Sequence, residues 1–301
     1  PKFRKPQLWS PDSPYIYNAY SEVYVGKELV DTYHSTFGIR SISWDYDLHR
    51  LVLNGKVTHL HGINRHEEFP WLGQAFPKWI AQRDMEDMKF GLDINYMRTA
   101  HYPNDPSVYY FMDRNGICIN EELPNIKNQN FSKEVQEQNC REMIRRDRNH
   151  PSVWMWEPIL NETWYPADFA KNVVDILNEE YPYPYCYTGC DSEAKGHEYF
   201  PVLFKHPQLG GVDKEEAEHP EITYFTREWG DNVDDWSSHN SPSRASRAWG
   251  ETPMLIQAQG YANPSYPYTC YETLYQTTRQ HIGGCLWHSF DHQRGYHPDP
   301  F

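Results

Sequence analysis

From about residue 44 onward, short apolar runs alternate with segments of helical periodicity, and this alternation limits the possible folds more than any other feature. Repeated strand–helix units predict a parallel sheet, because a strand followed by a crossover helix returns in the same direction. Eight strand-like runs separated in this way predict an α/β fold, the (β/α)8 TIM barrel. The runs span residues 59–64, 94–98, 117–121, 153–162, 185–189, 199–204, 222–228 and 283–288.

Helix boundary signals support this division of the chain. Gly91 and Gly116 are predicted to end two helices, and Asp105 and Ser132 are predicted to cap the starts of two helices. Apolar residues at helical spacing over 169–177 predict a further helix after the fourth strand.

Residues 1–43 have a different pattern, in which short strand-like runs are separated by turn-forming residues. We expect them to form the C-terminal part of an immunoglobulin-like β-sandwich domain, with the barrel domain at 44–301. The segment 231–268 is expected to be an insertion. Because the chain starts at Pro1, we expect it to be a fragment of a longer protein.

The charge of the chain restricts its partners. A formal net charge of −14 argues against nucleic acid and against an anionic membrane surface. No apolar run is long enough to span a bilayer, so no membrane insertion is expected. The sequence does not determine whether the chain forms a homo-oligomer. The six cysteines suggest neither a disulfide framework nor a zinc site. The compartment is undetermined, with a periplasmic or extracellular location favoured over a cytoplasmic one.

Two predicted barrel strands end in a glutamate. Glu162 follows Asn161 at the end of the fourth run, and Glu228 ends the seventh. In a parallel barrel these ends form the catalytic face. Hydrolysis of a glycosidic bond needs two carboxyl groups that flank the bond. The same residues could also be exposed loop carboxylates, and the residues alone leave both interpretations open.

Four longer motifs occur along the chain. They are Gly62-Ile63-Asn64-Arg65-His66-Glu67, Arg98-Thr99-Ala100-His101-Tyr102-Pro103-Asn104, Arg146-Asp147-Arg148-Asn149-His150-Pro151-Ser152-Val153 and Gly283-Gly284-Cys285-Leu286-Trp287. These motifs resemble those of glycoside hydrolase family 2, which contains β-galactosidases, β-glucuronidases and β-mannosidases, and the resemblance covers about residues 36–295. The resemblance implies a glycosidase with a catalytic TIM barrel.

The resemblance also implies catalytic roles. Glu162 would be the general acid/base and Glu228 the nucleophile. Asn161 would bind the sugar 2-hydroxyl, Tyr187 would donate a hydrogen bond to the nucleophile, and Arg98 would hold the nucleophile in its ionised form.

Other positions are implied to bind substrate. Trp287 would be the platform for the sugar ring, and His101 matches a histidine of the active site. Asn64 and His66, from the first-strand motif, are assigned to the substrate site with them. His59 and His61 could suggest a metal pair, but alternating histidines on a strand are usually structural.

This sequence departs from the family pattern at several points. The usual Trp-Ser-x-Gly-Asn-Glu is one residue longer here, over 156–162, so a bulge or an altered strand end should absorb the extra residue. Glu157 is a further carboxylate near Glu162, and regular strand alternation would direct its side chain to the opposite face of the sheet from that of Glu162. The magnesium-binding Glu-x-His is replaced by Asn125-Ile126-Lys127, so no metal and no cofactor are expected. An alternative alignment puts Ala258 at the nucleophile position and Glu228 on an insertion; we favour Glu228.

These observations predict a retaining exo-β-glycosidase that hydrolyses a terminal β-linked sugar of an oligosaccharide, with a β-galactoside as the favoured substrate. A β-glucuronidase or another family 2 β-glycosidase is the first alternative. A non-catalytic carbohydrate-binding barrel is the second, and it would not need two converging carboxylates.

Overall fold

The computed structural model describes the protein in ranges that are separated by gaps. The described residues are 3–45, 47–69, 72–75, 77–124, 132–159, 165–181, 183, 188–191, 195–204, 220–229 and 281–286.

The first part of the chain consists of antiparallel strands. They are β1 (Trp9–Ser10), β2 (Ser13–Pro14), β3 (Tyr17–Val25), β4 (Glu28–Phe37), β5 (Ile42–Asp45), β6 (Arg50–Leu53) and β7 (Lys56–Thr58). β3 and β4 form a long hairpin whose turn contains Gly26 at φ 66°. β5, β6 and β7 form a three-stranded sheet. The predicted strands before residue 43 are confirmed, and the β-sandwich domain stays a prediction.

The rest of the described chain is built on an eight-stranded parallel sheet. Its strands are β8 (Leu60–Asn64), β9 (Tyr96–Arg98), β10 (Cys118–Glu122), β11 (Val153–Glu157), β12 (Thr188–Asp191), β13 (Val202–Phe204), β14 (Thr223–Trp229) and β15 (His281–Leu286). Each overlaps one of the eight predicted runs.

The strand order shows how the sheet curls. It is β11-β10-β9-β8-β15-β14-β13-β12, and every neighbouring pair is parallel. The first strand of the sheet therefore pairs with the last, as in a (β/α)8 barrel. Within the described residues no ladder joins β11 to β12, which are the two ends of this order.

Four α-helices of the described part of the chain cover the outside of the sheet. They are α1 (Lys78–Glu86), α2 (Pro106–Asn115), α3 (Lys133–Asp147) and α4 (Ala167–Glu180). A π-helical turn, Asp87–Gly91, continues α1, and a short 3-10 turn spans His197–Tyr199. None of the described helices is long and apolar enough to cross a membrane.

The helix boundary predictions were correct for α2 and wrong in detail elsewhere. The Asp105 side chain accepts a hydrogen bond from Ser107 N at 2.8 Å, and Gly116 ends α2 at φ 69°. The Ser132 side chain does not cap α3. Gly91 is the last residue of the π-helical turn and not a left-handed cap; the residue that follows it, Leu92, has right-handed backbone angles.

Alternate residues of β10 belong to two different layers of the core. Ile119 packs in the layer between the sheet and the helices, together with Met112 of α2. Cys118 packs in the barrel interior with Leu60 and Phe225. Because side chains alternate along a strand, the polar residues at the end of β10 also face opposite layers.

An irregularity in β11 determines which of its side chains face the interior. Val153 and Met155 pair with consecutive residues of β10, so Trp154 is an extra residue in the ladder. Beyond this bulge, Glu157 lies opposite Glu122 of β10 and shares its inward direction. This bulge lies at Trp154, before the segment 156–162 in which the sequence predicted a bulge or an altered strand end, and residues 160–162 lie outside the described part of the chain.

Candidate active site

Polar side chains occupy the carboxyl ends of five barrel strands. They are Asn64 on β8, Arg98 on β9, Glu122 on β10, Glu157 on β11 and Glu228 on β14. With Asn120 they form what we call the inner cluster. Because the carboxyl ends of parallel strands meet at one end of a barrel, these side chains converge there.

Arg98 is at the centre of the inner cluster and is fully buried. Its Nε and Nη2 donate to the two oxygens of Glu157 at 2.8 Å each. Nη2 also donates to Oε1 of Glu122 at 2.7 Å. Nη1 donates to Oδ1 of Asn64 at 3.1 Å and to Oε1 of Glu228 at 3.2 Å. All five N–H groups of the guanidinium thus have protein acceptors, which fixes its orientation.

Glu157 is a fully buried carboxyl that is surrounded by hydrogen-bond donors. Besides the two bonds from Arg98, its Oε2 accepts a hydrogen bond from Asn120 Nδ2 at 2.9 Å. Burial raises the pKa of Glu157 to about 7; the Arg98 charge opposes this rise and the Glu122 carboxylate adds to it. A carboxyl group with this pKa exchanges its proton near neutral pH.

Glu122 connects the buried arginine to a partly exposed histidine. His101 Nδ1 lies 3.1 Å from both oxygens of Glu122. The edge of the His66 ring packs against His101, with 5.2 Å between the ring centroids. The inner cluster therefore extends from the barrel interior towards solvent through His101, against which the buried His66 packs.

Glu228 owes its position to an irregularity in β14. Between Thr226 and Trp229, β14 has one more residue than the facing segment of β15. The consecutive residues Arg227 and Glu228 are both directed at the inner cluster: Glu228 contacts Arg98, and Arg227 contacts Glu228. Glu228 Oε1 lies 3.8 Å from Arg227 Nε as well as 3.2 Å from Arg98. Two guanidinium groups at this distance favour the ionised carboxylate.

Exposure also distinguishes Glu228 from the other two carboxylates of the inner cluster. Its side chain is 12% exposed, while those of Glu122 and Glu157 are 0% exposed. A ligand at the barrel mouth could therefore contact Glu228 directly, whereas the other two would act through Arg98.

Asn64 joins the first strand of the barrel to the last two. Its Nδ2 donates to the carbonyl oxygens of Arg227 at 2.7 Å and of Leu286 at 3.2 Å. Its Oδ1 accepts from Arg98, so the same side chain orients the arginine. A change at Asn64 would therefore disturb both the sheet and the site.

A second polar group, which we call the outer cluster, lies on the opposite face of β10. It consists of Tyr109, Glu121, Arg146 and Asp147. Tyr109 donates to Glu121 Oε1 at 2.9 Å, and Arg146 reaches the same oxygen at 3.5 Å. Burial and the neighbouring Asp147 carboxylate raise the pKa of Glu121 well above its ordinary range.

The structure brings several of the predicted site residues together. These are Asn64, His66, Arg98, His101 and Glu228. The other predicted residues lie outside the described part of the chain. These are Asn161, Glu162, Tyr187 and Trp287. The distance between Glu162 and Glu228, which would separate retention from inversion, is therefore outside it too.

Sequence reasoning left Asn120 and Glu122 out of the site and treated Glu157 only as a neighbouring carboxylate. The parity of β10 could have identified two of them, because Asn120 and Glu122 share the face of the apolar Cys118. A buried arginine also requires nearby acceptors. Glu157 could not be placed by parity, because the bulge before it changes the alternation.

Among the described residues, no group of three His, Cys, Asp or Glu side chains is arranged to hold a metal ion. His61 instead contacts the carbonyl oxygen of Asp93 at 2.7 Å.

Comparison with known proteins identifies two segments of one family. Residues 47–179 match the family described as "Glycosyl hydrolases family 2, TIM barrel domain", and residues 2–40 match "Glycosyl hydrolases family 2". Together the two matches cover more than half of the chain.

Related proteins carry glycosidase names. The chain is 36% identical over 181 residues to a β-galactosidase of Thermoanaerobacter pseudethanolicus, a match over 59% of this chain and 24% of that protein. It is 31% identical over 179 residues to a putative β-glucuronidase of Formosa agariphila, over 57% of this chain and 17% of that protein. The chain thus spans about a quarter or less of these relatives.

The fold is also shared with a solved structure. The crystal structure of a β-glycosidase from Bacteroides vulgatus superposes with a TM-score of 0.76 at 20% sequence identity, covering 96% of this chain and 41% of that one. At this identity the likeness establishes the fold. On the two family matches, a curled parallel barrel sheet and relatives with glycosidase names, the chain belongs to glycoside hydrolase family 2.

Proposed function

We propose that this chain provides the catalytic region of a retaining exo-β-glycosidase that removes a terminal β-linked sugar, with a β-galactoside as the preferred substrate. The observation that carries the proposal is the contact between Arg98 and Glu228 at the carboxyl end of the barrel, at 3.2 Å. It presents an accessible carboxylate that two guanidinium groups hold ionised.

In this proposal Glu228 attacks the anomeric carbon and forms a covalent glycosyl-enzyme intermediate. Glu162 protonates the leaving oxygen and then, as a base, activates the water that releases the sugar. Asn161 binds the 2-hydroxyl and Tyr187 donates a hydrogen bond to the nucleophile. A separation of about 5–5.5 Å between the carboxyl groups of Glu162 and Glu228 is expected for retention.

The substrate-binding residues surround this pair. His101, with His66 packed against it, lies on the solvent side of the inner cluster. The Asn64 side chain accepts a hydrogen bond from Arg98 and orients it. Trp287 provides the platform on which the sugar ring stacks.

The position of Glu228 favours it over the alternative alignment that assigns the nucleophile position to Ala258. β14 is a full member of the barrel sheet and pairs with β13 on one side and β15 on the other. Glu228 therefore belongs to the seventh barrel strand and not to an insertion. Ala258 lies outside the described residues.

A β-glucuronidase is the second candidate, because one of the relatives carries that name. Such an enzyme needs a cation that faces the sugar carboxylate. Arg98 uses its N–H groups within the inner cluster, and Arg65 pairs with Asp84 at 2.7 Å in the protein interior. Because both arginines already pair with protein carboxylates, they favour a galactoside over a glucuronide as the substrate.

The proposed function is tested in the protein that carries this chain. Glu228→Ala should lower turnover of an aryl β-galactoside by roughly 10³-fold or more, and added azide should restore release of the aryl group by attacking the anomeric carbon in place of the carboxylate, with the α-galactosyl azide as product. NMR of the first product should show the β-anomer. Glu162→Gln should lose most turnover on substrates with poor leaving groups.

Glu121→Gln is the matched control, because it changes a buried glutamate on the opposite face of β10 and should leave turnover intact. An α-anomeric first product would rule out retention. Sugar binding without turnover in the unmodified protein, unaffected by Glu162→Gln, would instead indicate a carbohydrate-binding barrel.

A further inference from the structure

Glu157 is a carboxyl of the inner cluster that takes no part in the proposed reaction. It stands where the family pattern has serine, and it is fully buried, so it does not contact a sugar. Its partners are Arg98 and Asn120, and Arg98 also contacts Glu228. The hydrogen-bonded route from Glu157 to Glu228 therefore runs through Arg98.

The geometry of Arg98 is unequal between Glu157 and Glu228. Glu157 accepts two parallel hydrogen bonds at 2.8 Å from Nε and Nη2, the bidentate arrangement that best fixes the plane of a guanidinium. Among the described contacts, Glu228 accepts a hydrogen bond at 3.2 Å from Nη1. Glu157 thus determines where Nη1 points and compensates more of the arginine charge than Glu228 does.

We propose that Glu157 is a positioning residue that directs Arg98 at Glu228 and, by gaining or losing a proton, sets the basicity of the nucleophile. With Glu157 neutral, more of the Arg98 charge acts on Glu228, which is then a weaker base. With Glu157 ionised, three carboxylates share Arg98, and Glu228 becomes more basic and more nucleophilic. This inference rests on the proposed function, because it takes Glu228 as the nucleophile.

The other groups around Glu157 come from β9, β10, β14 and β15. They are Tyr96, Arg98, Glu122, Arg227, Glu228 and Cys285. Burial raises the pKa of Tyr96 and of Cys285 well above their ordinary values, so both are neutral at neutral pH. His101 reaches this group through Glu122. The pKa of Glu157, about 7, places its own change of charge in the neutral range.

The test measures how fast Glu228 is labelled by 2,4-dinitrophenyl 2-deoxy-2-fluoro-β-D-galactopyranoside across neutral pH. The dinitrophenolate leaves without a proton, so titration of Glu162 does not enter the rate. The unmodified protein should show a step near neutral pH, with the rate about two- to fivefold higher on the alkaline side. Glu157→Gln should abolish the step and hold the rate at the acid-side level. A step that persists in Glu157→Gln overturns the inference.

Two further variants keep the test decisive. Glu121→Gln changes a buried carboxyl of the outer cluster and should keep the step. Glu122→Gln removes the like charge that raises the pKa of Glu157, so it should move the midpoint of the step to lower pH. If Glu157→Gln does not fold, an unmoved midpoint in Glu122→Gln, or no step in the unmodified protein, overturns the inference.

Peptide mass spectrometry separates the two proposals. No label on Glu228 at any pH would refute the proposed function itself. A label on Glu228 without a step would leave the proposed function in place and refute only the role of Glu157.

Discussion

Glu121 and Glu122 are consecutive residues at the end of β10, both are fully buried, and they face opposite sides of the sheet. Glu122 faces the barrel interior and meets the guanidinium of Arg98 at 2.7 Å. Glu121 faces the helices and meets the Tyr109 hydroxyl and the carboxyl of Asp147. The same side chain at the same depth thus enters two different environments.

The difference between the two clusters lies in their cations. Arg98 has no exposed surface and directs every N–H group at the inner cluster, so its charge acts on the carboxylates at nearly full strength. Arg146 is 41% exposed and approaches Glu121 only at 3.5 Å. In the outer cluster the main charged neighbour of the Glu121 carboxyl is therefore the Asp147 carboxyl. Burial and residue type alone therefore do not determine the electrostatic environment of a carboxyl group; its charged partner does.

Replacing the two arginines should give the largest contrast. Arg98→Met leaves three carboxylates without their shared cation and should lower the free energy of unfolding by about 3–5 kcal/mol and abolish turnover. Arg146→Met should cost roughly 1 kcal/mol, because solvent screens that charge. Urea unfolding of both variants measures the difference. Equal losses would show that the clusters are energetically alike.

Replacing the two glutamates should separate the clusters by activity. Glu122→Gln weakens the anchor of both Arg98 and His101 and should lower kcat/KM by about 10- to 100-fold. Glu121→Gln should leave kcat/KM within about twofold, because it acts on the helix side of the sheet. A comparable loss in Glu121→Gln would indicate that the outer cluster also positions the site.

The outer cluster should be visible in the pH dependence of stability. The pKa of Glu121 is raised in the folded protein, so the folded state keeps a proton that the unfolded state releases above the ordinary value of 4.5. Its stabilising contribution is complete below that value and is lost as pH rises towards the raised pKa. The fall in the unfolding free energy with pH should be shallower in Glu121→Gln than in the unmodified protein. Identical slopes would contradict this.

His150 should give the smallest effect. Burial lowers its pKa, but the Asp113 carboxylate at 2.7 Å outweighs this and leaves the pKa above the ordinary 6.5. The stabilising contribution is therefore complete below 6.5 and disappears as pH rises through the raised value. His150→Gln should remove this part of the pH dependence, and NMR titration of the His150 ring in the unmodified protein should show the raised pKa directly.

The sequence predicted the elements of the barrel because their signals are local. Each apolar run and each helix boundary reflects burial or backbone geometry over a few neighbouring residues, as at Asp105 and Gly116, which delimit α2. Motifs that resemble those of a known family also predicted Arg98 and Glu228 as site residues, and the structure brings the two side chains together.

The remaining members of the inner cluster depend on contacts between distant parts of the chain. Glu157 faces inward because of a bulge at Trp154, and the ladder that defines this bulge involves β10. Whether Glu121 or Glu122 meets Arg98 depends on strand register, which a local pattern determines only when the alternation is regular. Such features need the assembled sheet before they can be assigned.

The pairing of β8 with β15 also has a consequence for the order of folding. One edge of β8 pairs with β15, which is synthesised more than two hundred residues later. Until then, a nascent sheet of β8 to β11 has an unpaired edge that can join other chains. Because Asn64 bonds to carbonyl groups of β14 and β15 as well as to Arg98, we expect the pairing of β8 with β15 and the assembly of the inner cluster to occur together, late in folding.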